Sequence, residues 1–472
     1  MYVEIARTNY SHIYRKIKNL SFAPEASILS DSVPVNQFTV DIIEWLRSEE
    51  YSSASAFPAT GEENVKYTET EHGKDYFWNG SAYVENIAIG AGMDITLRDD
   101  TDTLWAKYWI TYAEYVDVYT LRVRAESKIS LLDRKTMAPV MYSNEPVSDI
   151  LTAIFSDLGN DSYSLDSSFS GVTISGFMAH HSKRYRLQLI CFTIGAYVKT
   201  FFNDKIEILP LSSDATFIPK NRTFWKPSVS YKDWVTAITV KSFAYQQGTP
   251  SSTDEYVTDD NGVTYIQTSQ EVTVTNQNAP VTAPPNIIEV DDVQIINSSN
   301  VSAVVTRLAG IYFGRSVADV DVINNAYYAP GERVITYGVG KQLVMGYIES
   351  ATFQFGVQAR SALHITPIEV REAVTLMIKY TWSEIGTKLT VLTEEYLLPK
   401  DYEYSIENPY IELDWQNHRY VLRPRDEYTT VELSAYSTIE MPCYAALDDY
   451  KNVLSVISVD ELTEEDGEVD IS

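Results

Sequence analysis

Apolar and polar positions alternate with a period of two over much of this chain, the pattern of strands with one buried face. Between Met93 and Ser127 the apolar positions are Ile95 and Leu97, then Leu104, Trp105, Tyr108 and Ile110, then Val116, Val118, Leu121, Val123 and Ala125. The polar turn Arg98-Asp99-Asp100-Thr101-Asp102 breaks the run, so it predicts a meander of long antiparallel strands. A second set, Arg333–Tyr337, Gln342–Glu349, Ala351–Gly356 and Ser361–Ile365, is punctuated by Gly331, Gly338, Gly340 and Gly356 and predicts another meander. Laying Leu104 on Leu343 places Tyr108 on Tyr347 and the turn at Asp99 on Gly338, an alignment that rests on the period of two shared by all meanders. From about Glu372 the chain is again strand-like, through Leu376–Tyr380, Leu389–Leu392, Ile411–Leu413, Tyr420–Leu422 and Thr430–Ala435, and predicts a separate C-terminal β-domain.

Three segments switch to helical spacing. Ser148–Leu158 puts Ile150, Leu151, Ile154, Phe155 and Leu158 on one face, with Ser148 as the expected cap and Gly159 just past the end. Ser182–Ala196 carries Tyr185, Leu189, Phe192 and Ala196, and 206–211 then reads as a strand, giving a small α+β module over about 130–215. Ser299–Gly314 is the third helix, through Val301, Val304, Val305, Leu308, Ala309 and Tyr312. Two polar stretches interrupt the strands. Residues 56–86 carry Asn79-Gly80 between aromatic residues, a hairpin signal because type I′ turns need φ > 0 at both central positions. Residues 246–292 hold Asp259-Asp260-Asn261-Gly262 and, further on, Pro280, Pro284 and Pro285, and are expected to form an extended hairpin arm, since a structureless loop of that length is rare.

Composition sharpens this picture: mainly β, with several domains in 472 residues, and 34 Tyr beside many β-branched residues to fill pleated surfaces. There are 37 Lys plus Arg against 65 Asp plus Glu, a net charge of −28, which would repel a phosphate backbone and excludes unaided nucleic-acid recognition as an expectation. The run Lys183, Arg184 and Arg186 is expected to be a solvated helix end. Two cysteines, Cys191 and Cys443, offer no disulfide framework or zinc pattern, and Cys191 sits in an apolar run as a buried thiol. No cleavable leader and no apolar run of about 20 residues is read.

No constellation reads as a catalytic, cofactor or metal site. Adjacent His180 and His181 diverge and lack further ligands. The string 338-GVGKQ-342 lacks the GxxxxGK[ST] spacing and lies between strands, so it reads as a hairpin turn. Asp99, Asp100 and Asp102 lack the central Gly and terminal Glu of a helix-loop-helix calcium loop and read as a solvated turn. With 65 acidic residues, a glycosidase pair cannot be ranked, and no GxSxG string is present. Tyr410, Trp415, Tyr420, Tyr428 and Tyr436 invite a glycan-binding reading of the C-terminal domain, against the more ordinary one of a sandwich core or subunit interface.

The strings 33-VPVNQFTVDI-42, 92-GMDITLRDDTDTLWAKYWI-110, 121-LRVRAESKISLLDRKTM-137, 149-DILTAIFSDLG-159 and 330-PGERVITYGVGKQLVMGYIESATFQFG-356, in this order and spacing, resemble the central hub family of bacteriophage tails. The string 76-YFWNGSAYV-84 is similar to a short hairpin of tail and fibre proteins. The resemblance covers residues 1–370 and implies two tube-like antiparallel β-barrel domains, 1–130 with the insertion 56–86 and 216–370 with the arm 246–292, flanking the α+β domain 131–215. A C-terminal β-domain 371–460 and an acidic tail 461–472 complete the expected layout.

It further implies a non-enzymatic homotrimeric ring adapting a six-fold tail tube to a three-fold spike or tip. Its partners would be the distal tail tube protein ring, the spike or tip protein, the tape measure protein and surrounding baseplate proteins. No cofactor and no membrane anchor are expected, and the place of action would be the virion tail, assembled in the bacterial cytoplasm. Two other readings stay open: a tail-associated cell-wall hydrolase, and a receptor- or glycan-binding tail protein acting through the C-terminal domain.

Overall fold

A computed structural model describes residues 1–7, 10–213, 215–218, 222–224, 228–314, 316–323, 328–337, 342–355 and 360–384, then the strand segments 388–399, 411–415, 418–424, 431–435, 443–447 and 453–458; side chains are followed as far as Thr366. The protein is mainly β with a small α+β module. It divides into two compact units, Met1–Thr216 with Ser230–Val334 and Gly346–Ile368, and Phe217–Val229 with Ile335–Met345 and Glu369–Ser472.

The first unit opens with eleven strands: β1 (Tyr2–Ala6), β2 (Ser11–Tyr14), β3 (Ile17–Phe22), β4 (Gln37–Ile43), β5 (Arg47–Tyr51), β6 (Val65–Glu69), β7 (Lys74–Trp78), β8 (Tyr83–Glu85), β9 (Asp94–Arg98), β10 (Leu104–Tyr115) and β11 (Thr120–Glu126). Seven of them pair antiparallel in the order β2-β1-β9-β10-β11-β4-β3. The first and last strands of that order are joined by only Arg15 and Lys16, so the sheet must curl back on itself, and it belongs to a closed barrel. Val3, Ile5, Phe38, Val40, Ile42, Ile95, Leu97, Tyr108, Ile110, Val123 and Ala125 fill its interior. The meander expected over 93–127 is present, with Tyr108 opposite Ile95 and Ile110 opposite Ala125. Val116 and Val118 are an exception: they form the β10–β11 turn, Val118 is 77 % exposed, and β11 starts only at Thr120.

Between β4 and β9 the expected hairpin is part of a larger element, the four-stranded sheet β5-β6-β7-β8, whose first pair is parallel (Arg47 opposite Val65). Asn79-Gly80 does turn β7 into β8, but only Gly80 takes φ > 0; the Asn79 carboxamide instead accepts from the backbone N–H of Ser81 and Ala82 at 3.0 and 2.9 Å.

Next come β12 (Thr136–Met137), β13 (Val140–Pro146), α1 (Val147–Phe155), β14 (Tyr163–Leu165), β15 (Thr173–Met178), β16 (His181–Ser182), α2 (Lys183–Ile194), β17 (Ala196–Lys199) and β18 (Ile206–Pro210). Ser148 is not the cap of α1. The helix begins one residue earlier, because Pro146 fixes an extended backbone and the Val147 N–H donates to Val172 O at 3.0 Å. Ser182 is the cap of α2, its hydroxyl accepting from the Tyr185 N–H at 3.2 Å, and Gly195 closes the helix in the left-handed region at φ 80°. Ser182→Ala is expected to cost about 1 kcal/mol, read as a lower urea midpoint with unchanged slope.

The chain continues through β19 (Ala215–Phe217), β20 (Ser228–Tyr231), β21 (Ala237–Gln247), β22 (Glu255–Thr258), β23 (Thr264–Thr275), β24 (Ile287–Val290), α3 (Val301–Tyr312), β25 (Ser316–Ile323), β26 (Arg333–Tyr337), β27 (Gln342–Gln354) and β28 (Arg360–Glu384). The polar arm is a four-stranded sheet, β22-β23-β21-β24, and its base is not solvated: Ile238 and Val240 join α1, α2, α3 and Ile28, Leu29 and Val33 in one apolar core. In the second meander the segments expected as 342–349 and 351–356 are one strand, β27, because Ser350 and Ala351 stay extended against residues 24–25. β25 pairs with β28 from Ala318 opposite Ile365 to Ile323 opposite Arg360. Gly338, Gly340 and Gly356 lie outside the described residues, as does the acidic tail.

In the second unit the far part of β28 pairs antiparallel with β29 (Lys388–Pro399), from Ala373 opposite Pro399 to Glu384 opposite Lys388. The strands β30 (Ile411–Trp415), β31 (His418–Pro424), β32 (Val431–Ala435), β33 (Cys443–Leu447) and β34 (Val453–Ser458) follow as successive antiparallel neighbours. Trp415 and Tyr420 fall on strands of this ladder, while Tyr410, Tyr428 and Tyr436 lie outside the described residues.

Candidate assembly site

The feature with most bearing on function is a seam inside the first unit. β3, the last strand of the barrel order, has an edge that β4 does not use, and β27 fills it. Phe353 pairs with Phe22 and Gln354 with Ser21; Ala351 N–H donates to Pro24 O at 3.0 Å and Ala26 N–H to Glu349 O at 2.9 Å. Hydrogen bonds thus run from Ser21 to Ala26, joining two antiparallel sheets that lie some 330 residues apart in sequence, by the same edge pairing that links strands within a sheet.

Aromatic side chains hold this seam closed. Phe353 stacks on Phe22 at 5.8 Å and meets Trp105 edge-on at 4.9 Å, while Phe202, from the loop after β17, packs on both Trp105 at 5.0 Å and Phe353 at 5.8 Å. Phe202 is held there with φ 57°, its N–H donating to Trp105 O at 3.0 Å. Phe22 and Phe353 are buried.

A second fixed point ties the β5–β8 sheet to the barrel. Arg7 and Glu44 lie 3.6 Å apart with side chains only 1 % exposed. The Arg7 guanidinium also donates to Tyr10 Oη at 2.9 Å, to Tyr14 Oη, to Asn86 Oδ1 and to Ile87 O, and Tyr115 Oη donates to Glu44 at 2.5 Å. Burial pushes the Glu44 carboxyl above the usual carboxylate range, opposed by Tyr115 and Arg7. His12, against Tyr14 at 4.4 Å and Phe77 at 4.8 Å, is pushed down to about 4 by burial and then by Arg7, so it is neutral at physiological pH.

The residues weighed for chemistry have these partners. Asp99 accepts from the N–H groups of Thr101 and Thr103, both at 2.9 Å, and from Trp105 Nε1 at 3.2 Å, organising the turn itself. Asp100 binds the N-terminal ammonium at 2.6 Å, and Tyr2 Oη donates to Asp102. His181 pairs with Met137 across β16 and β12 and its ring meets Tyr185 at 4.6 Å.

Lys183, Arg184 and Arg186 are not the solvated helix end that the charge run predicts. Lys183 binds Asp157 at 2.6 Å, Arg184 binds Asp133 at 2.7 Å, and buried Arg186 donates to the carbonyls of Met137, Ala138 and Ala179. All three bonds run from Nη2, so one buried nitrogen ties together the backbone on either side of the short β12–β16 pair. Cys191 is buried and its thiol is pushed up by desolvation, an unreactive state. Among the described residues Glu69, Glu71 and His72 bring ligand atoms within 4.8 Å of one another, but Glu69 already accepts from Tyr76 Oη at 3.4 Å and pairs with His72 Nδ1 at 2.9 Å. The string 338-GVGKQ-342 falls almost wholly outside the described residues.

Sequence reasoning missed both the seam and the Arg7–Glu44 pair. The only signal for the seam was Phe22 and Phe353, each an aromatic residue in a strand-like run.

No family model matches the chain, and no curated protein matches it. Among solved structures it is similar to the 43 kDa tail protein of prophage MuSo2 from Shewanella oneidensis, at 8 % identity over 78 % of this chain and 98 % of that one, with a TM-score of 0.47. The prophage tail protein gp18 from Listeria monocytogenes gives 10 % identity over 78 % and 94 % with a TM-score of 0.46. A component of the E. coli type VI secretion system, described as structurally similar to T4 tail proteins gp27 and gp5, gives 10 % identity over 92 % and 99 % with a TM-score of 0.40. These three solved structures are two prophage tail proteins and a secretion-system component described as similar to tail proteins.

Proposed function

We propose that this protein is a non-enzymatic structural hub of a phage-type tail, three copies of which close into a ring between the six-fold tail tube and a three-fold spike or tip. The observation that carries the reading is the seam: two antiparallel sheets of one chain are already joined edge to edge, β3 on β27. A ring of three chains then presents six sheet units around the axis, with three seams inside chains alternating with three between them. Such an arrangement turns strand edges from an aggregation hazard into the assembly contact. In this reading residues 1–130 and 216–370 supply the two tube-like units, 131–215 braces them, and 371–460 and the acidic tail 461–472 face outer partners. Those partners are the distal tail tube ring, the spike or tip, the tape measure protein and neighbouring baseplate proteins, in the virion tail.

The test is the mass and shape of the purified chain. A particle of three times the 53.4 kDa chain mass, seen end-on as a ring with six lobes, is expected. A monomer at high micromolar concentration that also fails to form rings on a tail tube would overturn the proposal.

A further inference from the structure

We infer that the arm sheet carries a strand-addition site on the outer edge of β23, and that its occupant is an extended segment of a partner protein bearing Lys or Arg. The inference does not depend on the ring proposed above.

β23 is twelve residues long, but its two neighbours cover it unequally. β21 pairs with it along the whole length, from Gln247 opposite Tyr265 to Ala237 opposite Thr275, with no shift of register. β22 pairs only with Thr264–Gln267. The sheet has four strands in the order β22-β23-β21-β24, so among the described residues Thr268–Thr275 has no strand on its outer side. Seven of these eight residues are exposed, Val272 being half-buried. The free edge is about 27 Å long at 3.4 Å per residue.

Which backbone groups face outward follows from the turns at the two ends. Asn276 N–H donates to Thr236 O at 2.9 Å and Gly248 N–H to Thr264 O at 3.2 Å, so even-numbered residues of β23 direct their hydrogen-bonding groups toward β21. Asp259 N–H donates to Val263 O at 3.0 Å, which directs odd-numbered residues toward the β22 side. Beyond the end of β22, the N–H and C=O groups of Ser269, Glu271, Thr273 and Thr275 therefore point at the open edge. Protected edges carry a proline, an inward-pointing lysine or a bulge. This stretch, TSQEVTVT, contains no Pro and no Lys, and its register is unbroken. It is a ladder left ready for another strand.

Charge selects the occupant. Residues 237–292 carry eight acidic side chains against one basic one, Lys241. Lys241 stands directly opposite Glu271, which leaves Asp254, Glu255, Asp259 and Asp260 unbalanced around β22 and its turn. An anionic strand would be repelled, while a cationic one gains at the β22 end of the edge.

The probe is a synthetic octapeptide of alternating Val and Thr with Lys at each end, N-methylated on alternate residues so that it can pair along one edge only; its counterpart carries Glu in place of Lys. With the full chain, the Lys peptide is expected to bind, the Glu peptide not, and the amides of Glu271 and Thr273 to gain protection from hydrogen exchange. Thr273→Pro removes an outward N–H while leaving the β21 ladder intact, and is expected to weaken binding at least about tenfold. Glu271→Lys, which places a guard charge on the edge without touching the backbone, should weaken it as well and serves if the proline variant misfolds. Failure of the Lys peptide to bind, equal binding by the Glu peptide, or full binding by both variants overturns the inference. So does protection of the same amides by a second copy of the chain in the absence of peptide, seen as a dimer in sedimentation.

Discussion

Replacing Arg7 with Met is expected to destabilise the protein by about 3–5 kcal/mol, the loss that follows when one member of a buried ion pair is removed and the other stays behind. Arg7 and Glu44 are both buried to 1 % side-chain exposure, and the guanidinium is also the donor for Tyr14, Asn86 and Ile87. Met fills much of the volume but satisfies none of these acceptors. The pH dependence identifies the cause. The Glu44 carboxyl already binds its proton more tightly folded than unfolded, because burial raises it. Its favourable contribution is fully present below the unfolded value of about 4.3 and is lost as pH rises through the raised folded value. Without Arg7 the folded value climbs further, so the deficit of the variant should be largest at pH 7 and shrink toward pH 5. Urea unfolding at both pH values measures this, and Arg7→Met with Glu44→Leu should recover most of the loss. A deficit that is the same at pH 5 and pH 7, with no recovery in the double variant, would mean that lost packing and not the stranded carboxylate is responsible.

What the sequence disclosed and what it hid follow from the range of the interactions. Alternation at Ile95, Leu97, Tyr108 and Ile110 is a local property, and it located the meander and its buried face. The helical spacing of Tyr185, Leu189 and Phe192 is equally local, and it placed α2 to within two residues at either end. Arg7 and Glu44 occupy positions that alternation treats as ordinary polar sites, and their burial is decided by Tyr14, Asn86 and Tyr115, as many as 108 residues away from Arg7. Lys183 and Arg186 likewise read as a surface run until Asp157 and the Met137 carbonyl that they bind are in place. The bulge between Ile110 and Tyr112 and the long turn at Val116–Tyr119 explain why a strict period of two misplaced Val116 and Val118. The seam was hidden for a different reason: any two strands with a period of two can pair, and nothing within 22-FAPEA-26 or 349-ESATFQ-354 names the other.

Phe353→Ala is expected to cost about 3–5 kcal/mol and to open the seam specifically. Phe353 is 1 % exposed and contacts Phe22, Trp105 and Phe202 together, so its removal leaves a cavity that three flat rings from two strands and a loop cannot collapse to fill. Phe353→Leu, which keeps most of the volume, should cost less than half as much. The location of the damage separates a seam from a general core. The amides of Ala26 and Ala351 donate across it, to Glu349 and Pro24, whereas those of Leu97 and Val123 belong to ladders inside the barrel. In the alanine variant the first pair should exchange much faster than in the parent while the second pair retains its protection relative to global unfolding. Equal loss at all four amides would show that the two sheets unfold as one body with no separable joint. A protein whose halves cannot part at the seam would gain nothing from repeating that seam between chains, and the six-unit ring would lose its structural precedent.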